Sequence, residues 1–139
     1  MPAGRALLGL CALGLLLGRA HAADVDWAAA ELVVVRLIDD RFVPDTLSFR
    51  RGVAYRLRLE NRGKETHEFT APDFIKTLEL RNPEVLEPAG NEVLVHSGEQ
   101  KELYFVAHKP GRYALICADH DWDGMDGEIS VEDSAPRRP

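Results

Sequence analysis

Cysteine is nearly absent from this chain. Two cysteines occur among 139 residues, and one of them, Cys11, lies in an apolar stretch near the start. If that stretch is removed on export, Cys117 has no partner within the chain and no intramolecular disulfide can form. Two interpretations of a lone thiol in an oxidising compartment are then open: it is a metal ligand, or it is a buried, inert side chain.

A long apolar run is also missing. Residues 6–18 are apolar, but this run is too short to span a bilayer as a stable helix. Arg5 precedes it, and Ala20-His21-Ala22 follows as a small-x-small cleavage pattern. These features predict a signal peptide at residues 1–22, export to the periplasm and no membrane insertion after cleavage. We expect residues 23–133 to form one domain and residues 134–139 to be a disordered tail.

The chain has no excess of positive charge. It contains 17 basic and 23 acidic residues, for a formal net charge of −6. The predicted leader removes Arg5 and Arg19 but no acid, which takes the net charge to −8. Nucleic-acid binding is therefore not expected, because no basic surface is available to neutralise phosphates. Glycine-rich phosphate loops and serine nucleophile elbows are absent too, so no nucleotide enzyme or hydrolase is predicted.

Most of the remaining sequence consists of short β-rich segments divided by turn residues. Residues 53–60 alternate apolar and polar side chains, which is typical of a strand with one buried and one solvated face. Residues 72–88 lack this alternation, and Phe74, Ile75, Leu78 and Leu80 are expected to form a short helical turn over the sheet. Seven or eight strands with little helix predict an all-β fold, a Greek-key sandwich of two antiparallel sheets. The other predicted strands cover residues 31–38, 46–50, 67–70, 92–96, 101–107, 112–117 and 128–131.

One segment concentrates side chains that bind transition metals. Cys117, His120 and Met125 form the pattern Cys-x2-His-x4-Met after a predicted strand, and His67 begins another strand. Two imidazoles and a thiolate with a weak axial thioether are the ligands of a mononuclear type 1 copper site. The sequence therefore predicts one type 1 copper bound by His67, Cys117, His120 and Met125. Zinc also accepts two histidines and a cysteine, but exported zinc sites seldom use methionine.

Three stretches around these ligands resemble a known family. They are residues 42–47 (Phe-Val-Pro-Asp-Thr-Leu), residues 67–69 (His-Glu-Phe), and residues 109–131, which include Lys-Pro-Gly and the Cys-x2-His-x4-Met loop. Together they resemble the cupredoxins, small blue-copper proteins that include plastocyanins, pseudoazurins and amicyanins. The resemblance implies the same four ligands, with His120 at the surface as the electron port. The copper loop is also similar to that of cupredoxin-like proteins of bacterial iron uptake.

The chain departs from the well-known carriers of that family at three positions. Many carriers have Asn after the first ligand histidine, where this chain has Glu68. They often have a hydroxyl residue after the cysteine and proline before the second histidine, where this chain has Ala118 and Asp119. These changes retain the ligands but do not support membership of a particular carrier subfamily.

The favoured function is one-electron transfer to or from a redox partner protein, such as a cytochrome, an oxidase or an iron-uptake component. The protein is expected to be a monomer or a weak dimer. The alternative is a ferrous-iron oxidase, an enzyme, in which Asp119, Asp121 and Asp123 bind Fe(II) beside His120, because carboxylates stabilise Fe(III) more than Fe(II). An alternative interpretation is that these acids are only the solvent-exposed residues of a surface loop and bind no metal. Copper storage or delivery is a weaker third hypothesis, because Met125 is the single methionine after the leader.

Three further side chains carry expectations of their own. Trp122, inside the copper loop, is predicted to pack over the ligands rather than to dock a partner. His96 and His108 lie in turn contexts and are predicted to be exposed residues rather than ligands.

Overall fold

The computed structural model describes residues 24–134. The predicted signal peptide and all of the predicted tail except Ser134 lie outside the described residues. None of the helices between residues 24 and 134 has both the length and the apolar character that a membrane crossing requires.

The described chain is almost entirely β-structure in two five-stranded sheets. The strand order is β2-β1-β4-β8-β6 in the first sheet and β3-β10-β9-β5-β7 in the second. The predicted all-β, two-sheet sandwich is therefore confirmed. The strands are β1 Glu31–Ile38, β2 Arg41–Val43, β3 Thr46–Arg50, β4 Ala54–Asn61, β5 His67–Thr70, β6 Leu78–Leu80, β7 Glu92–Val95, β8 Gln100–Ala107, β9 Gly111–Ile116 and β10 Asp126–Glu132; the one α-helix within this range is α1 Pro72–Ile75, and 3₁₀ turns cover Trp27–Ala29, Pro83–Val85 and Asp121–Asp123.

Two short strands differ from the prediction. Strand β2 pairs with β1, and β6 pairs with β8, where Leu78 lies opposite Ala107 and Leu80 opposite Phe105. The expected helical turn thus ends at Ile75, and Leu78 and Leu80 belong to an edge strand. Three-residue strands carry too little alternation to be recognised from sequence. They exist because a longer neighbouring strand supplies their backbone partners.

Two of the strand pairs are parallel, so the prediction of purely antiparallel sheets was wrong. Strand β1 runs parallel to β4, and β3 runs parallel to β10. Between β1 and β4 the chain forms β2 and then crosses to the other sheet as β3, so β4 returns to the first sheet in the same direction as β1. Apolar alternation is the same in parallel and antiparallel strands, and it therefore does not report direction.

The core lies between the sheets and is rich in aromatic contacts. Strand β4 alternates as predicted, with Tyr55, Leu57 and Leu59 at most 3% exposed. The ring of Phe49 packs edge-on against Tyr55 at 4.8 Å and against Phe105 at 5.0 Å between centroids. Such pairs add about 0.5–1.5 kcal/mol each beyond the area they bury. This core gives a stiff frame for the side chains at one end of the sandwich.

A buried asparagine organises that end of the sandwich. The side chain of Asn61, 1% exposed, donates to the carbonyl oxygens of Glu65 and Val95, both at 2.8 Å. Its carbonyl oxygen accepts from the backbone N–H of Gly63 at 2.9 Å. The turn between β4 and β5 is thereby fixed to β7, and this sets the path of the chain into His67.

Candidate metal centre

Two adjacent strands bring the first and second candidate ligands together. His67 begins β5, and Cys117 directly follows β9. These strands are antiparallel neighbours, with Thr70 opposite Ile116. All four residues of β5 are buried, so His67 and Glu68 point into protein on both faces of the strand. Sequence positions 50 residues apart thus meet at one end of the second sheet.

The loop after Cys117 is closed by its own backbone. The N–H of Cys117 donates to the carbonyl of Met125 at 3.0 Å, and the N–H of Met125 donates to the carbonyl of His120 at 3.1 Å. The N–H of His120 donates to the carbonyl of Cys117 at 3.0 Å. Gly124 adopts a φ of 86°, a left-handed conformation that glycine accepts without strain. The spacing Cys-x2-His-x4-Met therefore folds into a compact loop that turns His120 back toward the cysteine.

Three donor atoms converge at the base of this loop. The sulfur of Cys117 lies 3.8 Å from Nδ1 of His67 and 3.4 Å from Nδ1 of His120. One donor atom from each residue lies within 4.8 Å of the other two, and no other such group of His, Cys, Asp or Glu occurs between residues 24 and 134. His67 and Cys117 are fully buried, and the side chain of His120 is 14% exposed. Distances and donor types both fit a single soft or borderline metal ion.

Met125, the fourth predicted ligand, lies in the same loop and is fully buried. Its backbone bonds to Cys117 and His120 hold it beside the other candidate ligands. Its role as an axial ligand stays a prediction.

Each imidazole is anchored by a carboxylate on the side away from the sulfur. Nε2 of His67 lies 3.0 Å from Oδ1 of Asp39, and Nε2 of His120 lies 2.7 Å from Oε2 of Glu65. A carboxylate at Nε2 keeps the proton on that nitrogen and leaves the Nδ1 lone pair available to a metal. The hydrogen bond to His67 is also the main reason why the pKa of Asp39 is lowered.

A third carboxylate lies beside the sulfur. Glu68 is 4% exposed, and its Oε2 accepts from the thiol of Cys117 at 3.1 Å. The backbone N–H of Glu68 donates to the same sulfur at 3.4 Å. Burial, with a further contribution from the Glu68 carboxylate, raises the pKa of the Cys117 thiol to about 11. Without a bound cation the thiolate is therefore disfavoured, and a metal ion would have to displace the proton.

The sequence reasoning singled out Glu68 but missed Asp39 and Glu65. Both lie in turns, at Asp39-Asp40 and Lys64-Glu65, in a chain with 23 acidic residues. No local pattern distinguishes a carboxylate that meets a histidine 28 or 55 positions away.

The acids of the loop are on the surface. Asp119, Asp121 and Asp123 are exposed and do not belong to the group of converging donor atoms. The predicted Fe(II) site stays a prediction. The expected electron port, His120, is only partly accessible, because Glu65 lies against its Nε2.

Trp122 corrects another expectation. It is 78% exposed, and its indole N–H donates to the carbonyl of Asp119 at 2.8 Å. The prediction that it packs over the ligands was wrong, because the 3₁₀ turn at Asp121–Asp123 directs it to solvent. His96 and His108 are exposed as predicted, and they bond to Thr66 and Glu79 respectively.

Comparisons with known proteins agree with this fold. The family model of the cupredoxin-like domain matches residues 8–131. Auracyanin B shares the fold at a TM-score of 0.55 and 20% identity, over 74% of this chain and 89% of auracyanin B. Reduced auracyanin from the photosynthetic bacterium Roseiflexus castenholzii gives a TM-score of 0.54 and 15% identity, over 75% of this chain and 98% of that protein.

A larger enzyme contains the same fold as one part. A multi-copper oxidase from Pseudomonas thermotolerans gives a TM-score of 0.60 and 18% identity, over 79% of this chain but only 31% of the oxidase. At these identities the likeness shows the fold alone. No curated protein sequence matches the chain significantly.

Proposed function

Because the chain belongs to the family of cupredoxin-like domains, we propose that it is an exported copper protein that transfers single electrons. One observation carries the proposal: the Nδ1 atoms of His67 and His120 and the sulfur of Cys117 converge at one end of the sandwich. Copper held by these residues would supply a Cu(I)/Cu(II) couple there. Met125 is proposed as the axial ligand.

The frame around these donors supports electron transfer rather than substrate chemistry. His67 and Cys117 are fully buried, so water is excluded from two of the three donors. His67 lies on β5, which has a neighbouring strand on each side, and Cys117 and His120 lie in a loop closed by backbone hydrogen bonds. Donors that are held in place in this way change little in position between oxidation states, which keeps the reorganisation cost of electron transfer small.

Copper binding is tested by colour. Adding Cu(II) to the metal-free protein is expected to give an intense blue or green charge-transfer band, which Cys117→Ser abolishes. His96→Ala and His108→Ala are the matched controls, because these exposed histidines are not among the converging donors. A band that survives Cys117→Ser, or no band in the unaltered protein, contradicts the proposal.

The redox partner is proposed to be a basic protein. Trp122 is the more exposed of the two large exposed apolar residues between residues 24 and 134, and Asp119, Asp121 and Asp123 surround it in the chain. An exposed indole with an anionic surround fits a partner that offers an apolar pocket with a basic rim. Net negative charge also attracts such a partner.

Export to the periplasm, proposed from the leader, is tested by fractionation of cells that carry the chain with and without residues 1–22.

Oxidation of Fe(II) is the second candidate function. The observation that favours it is the exposed carboxylate of Glu65 against His120, whose neighbours in the chain, Asp119 and Asp121, are also exposed acids. In a single turnover the oxidised protein would take one electron from Fe(II), leaving Fe(III) on carboxylate oxygens. Stopped-flow mixing with Fe(II) is expected to bleach the copper band. The triple change of Asp119, Asp121 and Asp123 to Asn is expected to slow the bleaching, and an unchanged rate contradicts this function.

A further inference from the structure

Each of the three converging donors has a carboxylate of its own. We propose that Asp39, Glu65 and Glu68 are positioning residues that make the centre hold copper preferentially as Cu(II), and so lower its reduction potential. This inference rests on the proposed function, because it concerns copper bound by His67, Cys117 and His120.

The first carboxylate is fixed in place before it meets its histidine. The backbone N–H of Lys64 donates to both oxygens of Asp39, at 2.9 and 3.1 Å. Gly63 allows this close approach, because a Cβ at residue 63 would collide with the Asp39 carboxylate. The bond from Asp39 to Nε2 of His67 is therefore made by a side chain with little freedom to move.

The second carboxylate comes from the same turn. The carbonyl of Glu65 is held by Asn61, and its side chain reaches Nε2 of His120 at 2.7 Å. The turn between β4 and β5 thus carries Glu65 and, through Lys64, the anchor of Asp39. One segment orients both imidazoles, with Nδ1 toward the sulfur in each.

The third carboxylate is the most buried. Glu68 lies 3.1 Å from the Cys117 sulfur, and its Oε2 also accepts from the backbone N–H of Asp119 at 3.4 Å. Between residues 24 and 134 no lysine or arginine forms an ion pair with Asp39, Glu65 or Glu68, and the two pairs found are with the candidate ligands themselves. The negative charge of these acids is thus left for the cation that the donors would hold.

Electrostatics gives the direction of the effect. Three carboxylates near one cation stabilise the doubly charged state more than the singly charged state. The burial of Glu68 strengthens its share, because a low dielectric screens less. Carboxylates bonded to ligand histidines also orient them and increase their basicity. All of these contributions favour Cu(II) over Cu(I).

The test measures the midpoint potential of the copper-loaded protein in variants that remove charge and keep shape. Asp39→Asn, Glu65→Gln and Glu68→Gln are each expected to raise the potential, with the largest shift for Glu68→Gln. Glu79→Gln is the matched control, because Glu79 also bonds a histidine, His108 at 2.9 Å, but outside the metal centre. It is expected to leave the potential unchanged.

Copper affinities in the two oxidation states distinguish an effect of carboxylate charge from a purely structural role in holding the histidines. In competition titrations Cu(II) affinity is expected to fall about 10- to 100-fold in Asp39→Asn, and Cu(I) affinity is expected to fall less. Asp39→Ala also removes the acceptor for His67, so it is expected to weaken both oxidation states. A merely structural role would weaken both states equally in every variant and leave the potential where it was.

The outcomes distinguish this inference from the proposed function. Potentials in all three variants equal to that of Glu79→Gln overturn the inference, even if a Cys117-dependent copper band is present. Absence of that band in the unaltered protein overturns the proposed function and the inference with it. If Glu68→Gln does not fold, Glu65→Gln decides, because that side chain is 63% exposed and its change does not disturb the core.

Discussion

A buried acid in the middle of a β-strand is costly to the metal-free fold. Glu68 is 4% exposed and makes its side-chain contacts to a thiol and a backbone amide rather than to a basic group. Such a residue is retained at a functional site when its charge serves the bound state and lowers the stability of the empty one.

We therefore expect Glu68→Gln to stabilise the metal-free protein by roughly 1–3 kcal/mol, because it removes a buried charge and keeps the side-chain shape. Urea denaturation at neutral pH with a chelator present measures this change. Glu79→Gln, on the surface, serves as the control and should lie within about 0.5 kcal/mol of the unaltered protein. Lower stability in Glu68→Gln would mean that the carboxylate supports the fold itself.

Met125 is the other single residue whose chemistry can be isolated. Met125→Leu nearly preserves volume in a fully buried position, so the fold should lose less than about 1.5 kcal/mol. If the thioether is the axial ligand, the copper band persists and the midpoint potential rises, because a weak donor to Cu(II) is lost. Spectroelectrochemical titration measures both properties, and an unchanged potential would remove Met125 from the ligand set.

At the scale of elements, the turn between β4 and β5 is the part of the fold that positions the site. It enters His67 and presents Glu65, and Asn61 joins it to β7 through bonds to the carbonyls of Glu65 and Val95. Stability and metal affinity should therefore both fall when the hydrogen bonds of Asn61 to Glu65 and Val95 are removed.

Asn61→Ala leaves three backbone groups without their partner and is expected to cost about 1–3 kcal/mol of unfolding free energy. Copper affinity should fall as well, because the turn that carries Glu65 and, through Lys64, holds Asp39 in place loosens. Asn82→Ala is the control: Asn82 also makes two bonds of 2.8 Å, to Glu102 and Tyr104 of β8. It should lower stability without lowering copper affinity, and equal losses of affinity would contradict the role given to the turn.

At the scale of the whole molecule, the metal centre exists only when the strand of His67 and the loop of Cys117 are folded against each other. His67 and Cys117 are 50 positions apart and belong to neighbouring strands of one sheet. An unfolded chain has no comparable site, so the free energy of metal binding adds to that of folding.

Copper is therefore expected to raise the melting temperature of the protein. At a free copper concentration of 100 times Kd the gain is about 2.7 kcal/mol. Thermal unfolding with and without copper measures it, and Cys117→Ser is expected to show almost no gain. An equal rise in Cys117→Ser would place the bound copper elsewhere on the molecule.

The surface around the loop sets how fast the molecule meets a partner. With reduced basic cytochrome c as the probe, Trp122→Ala is expected to slow electron transfer about tenfold, as the loss of an aromatic contact at an interface centre does. Leu32→Ala is the control, because Leu32 is 45% exposed on β1, away from the loop. The rate should also fall with added salt, and a rate insensitive to both changes would exclude this docking surface.

Local patterns in the sequence determined the strands of four or more residues and the loop. Strands β1, β3 and β5 have the predicted bounds, Glu31–Ile38, Thr46–Arg50 and His67–Thr70, because alternation and turn residues act over a few positions. The loop from Cys117 to Met125 also follows from its spacing. The approach of His67 to Cys117 was predicted from the ligand types and the sandwich fold, and the resemblance to a family implies the same ligands.

The tertiary structure alone decided strand direction, the short edge strands and the surroundings of the donors. Alternation is identical in parallel and antiparallel strands, so the pairings of β1 with β4 and of β3 with β10 left no local trace. The bonds of Asp39 and Glu65 to the two histidines span 28 and 55 positions. An acid in a turn has the same local sequence whether it faces water or an imidazole, and only the folding of distant segments onto one another distinguishes the two.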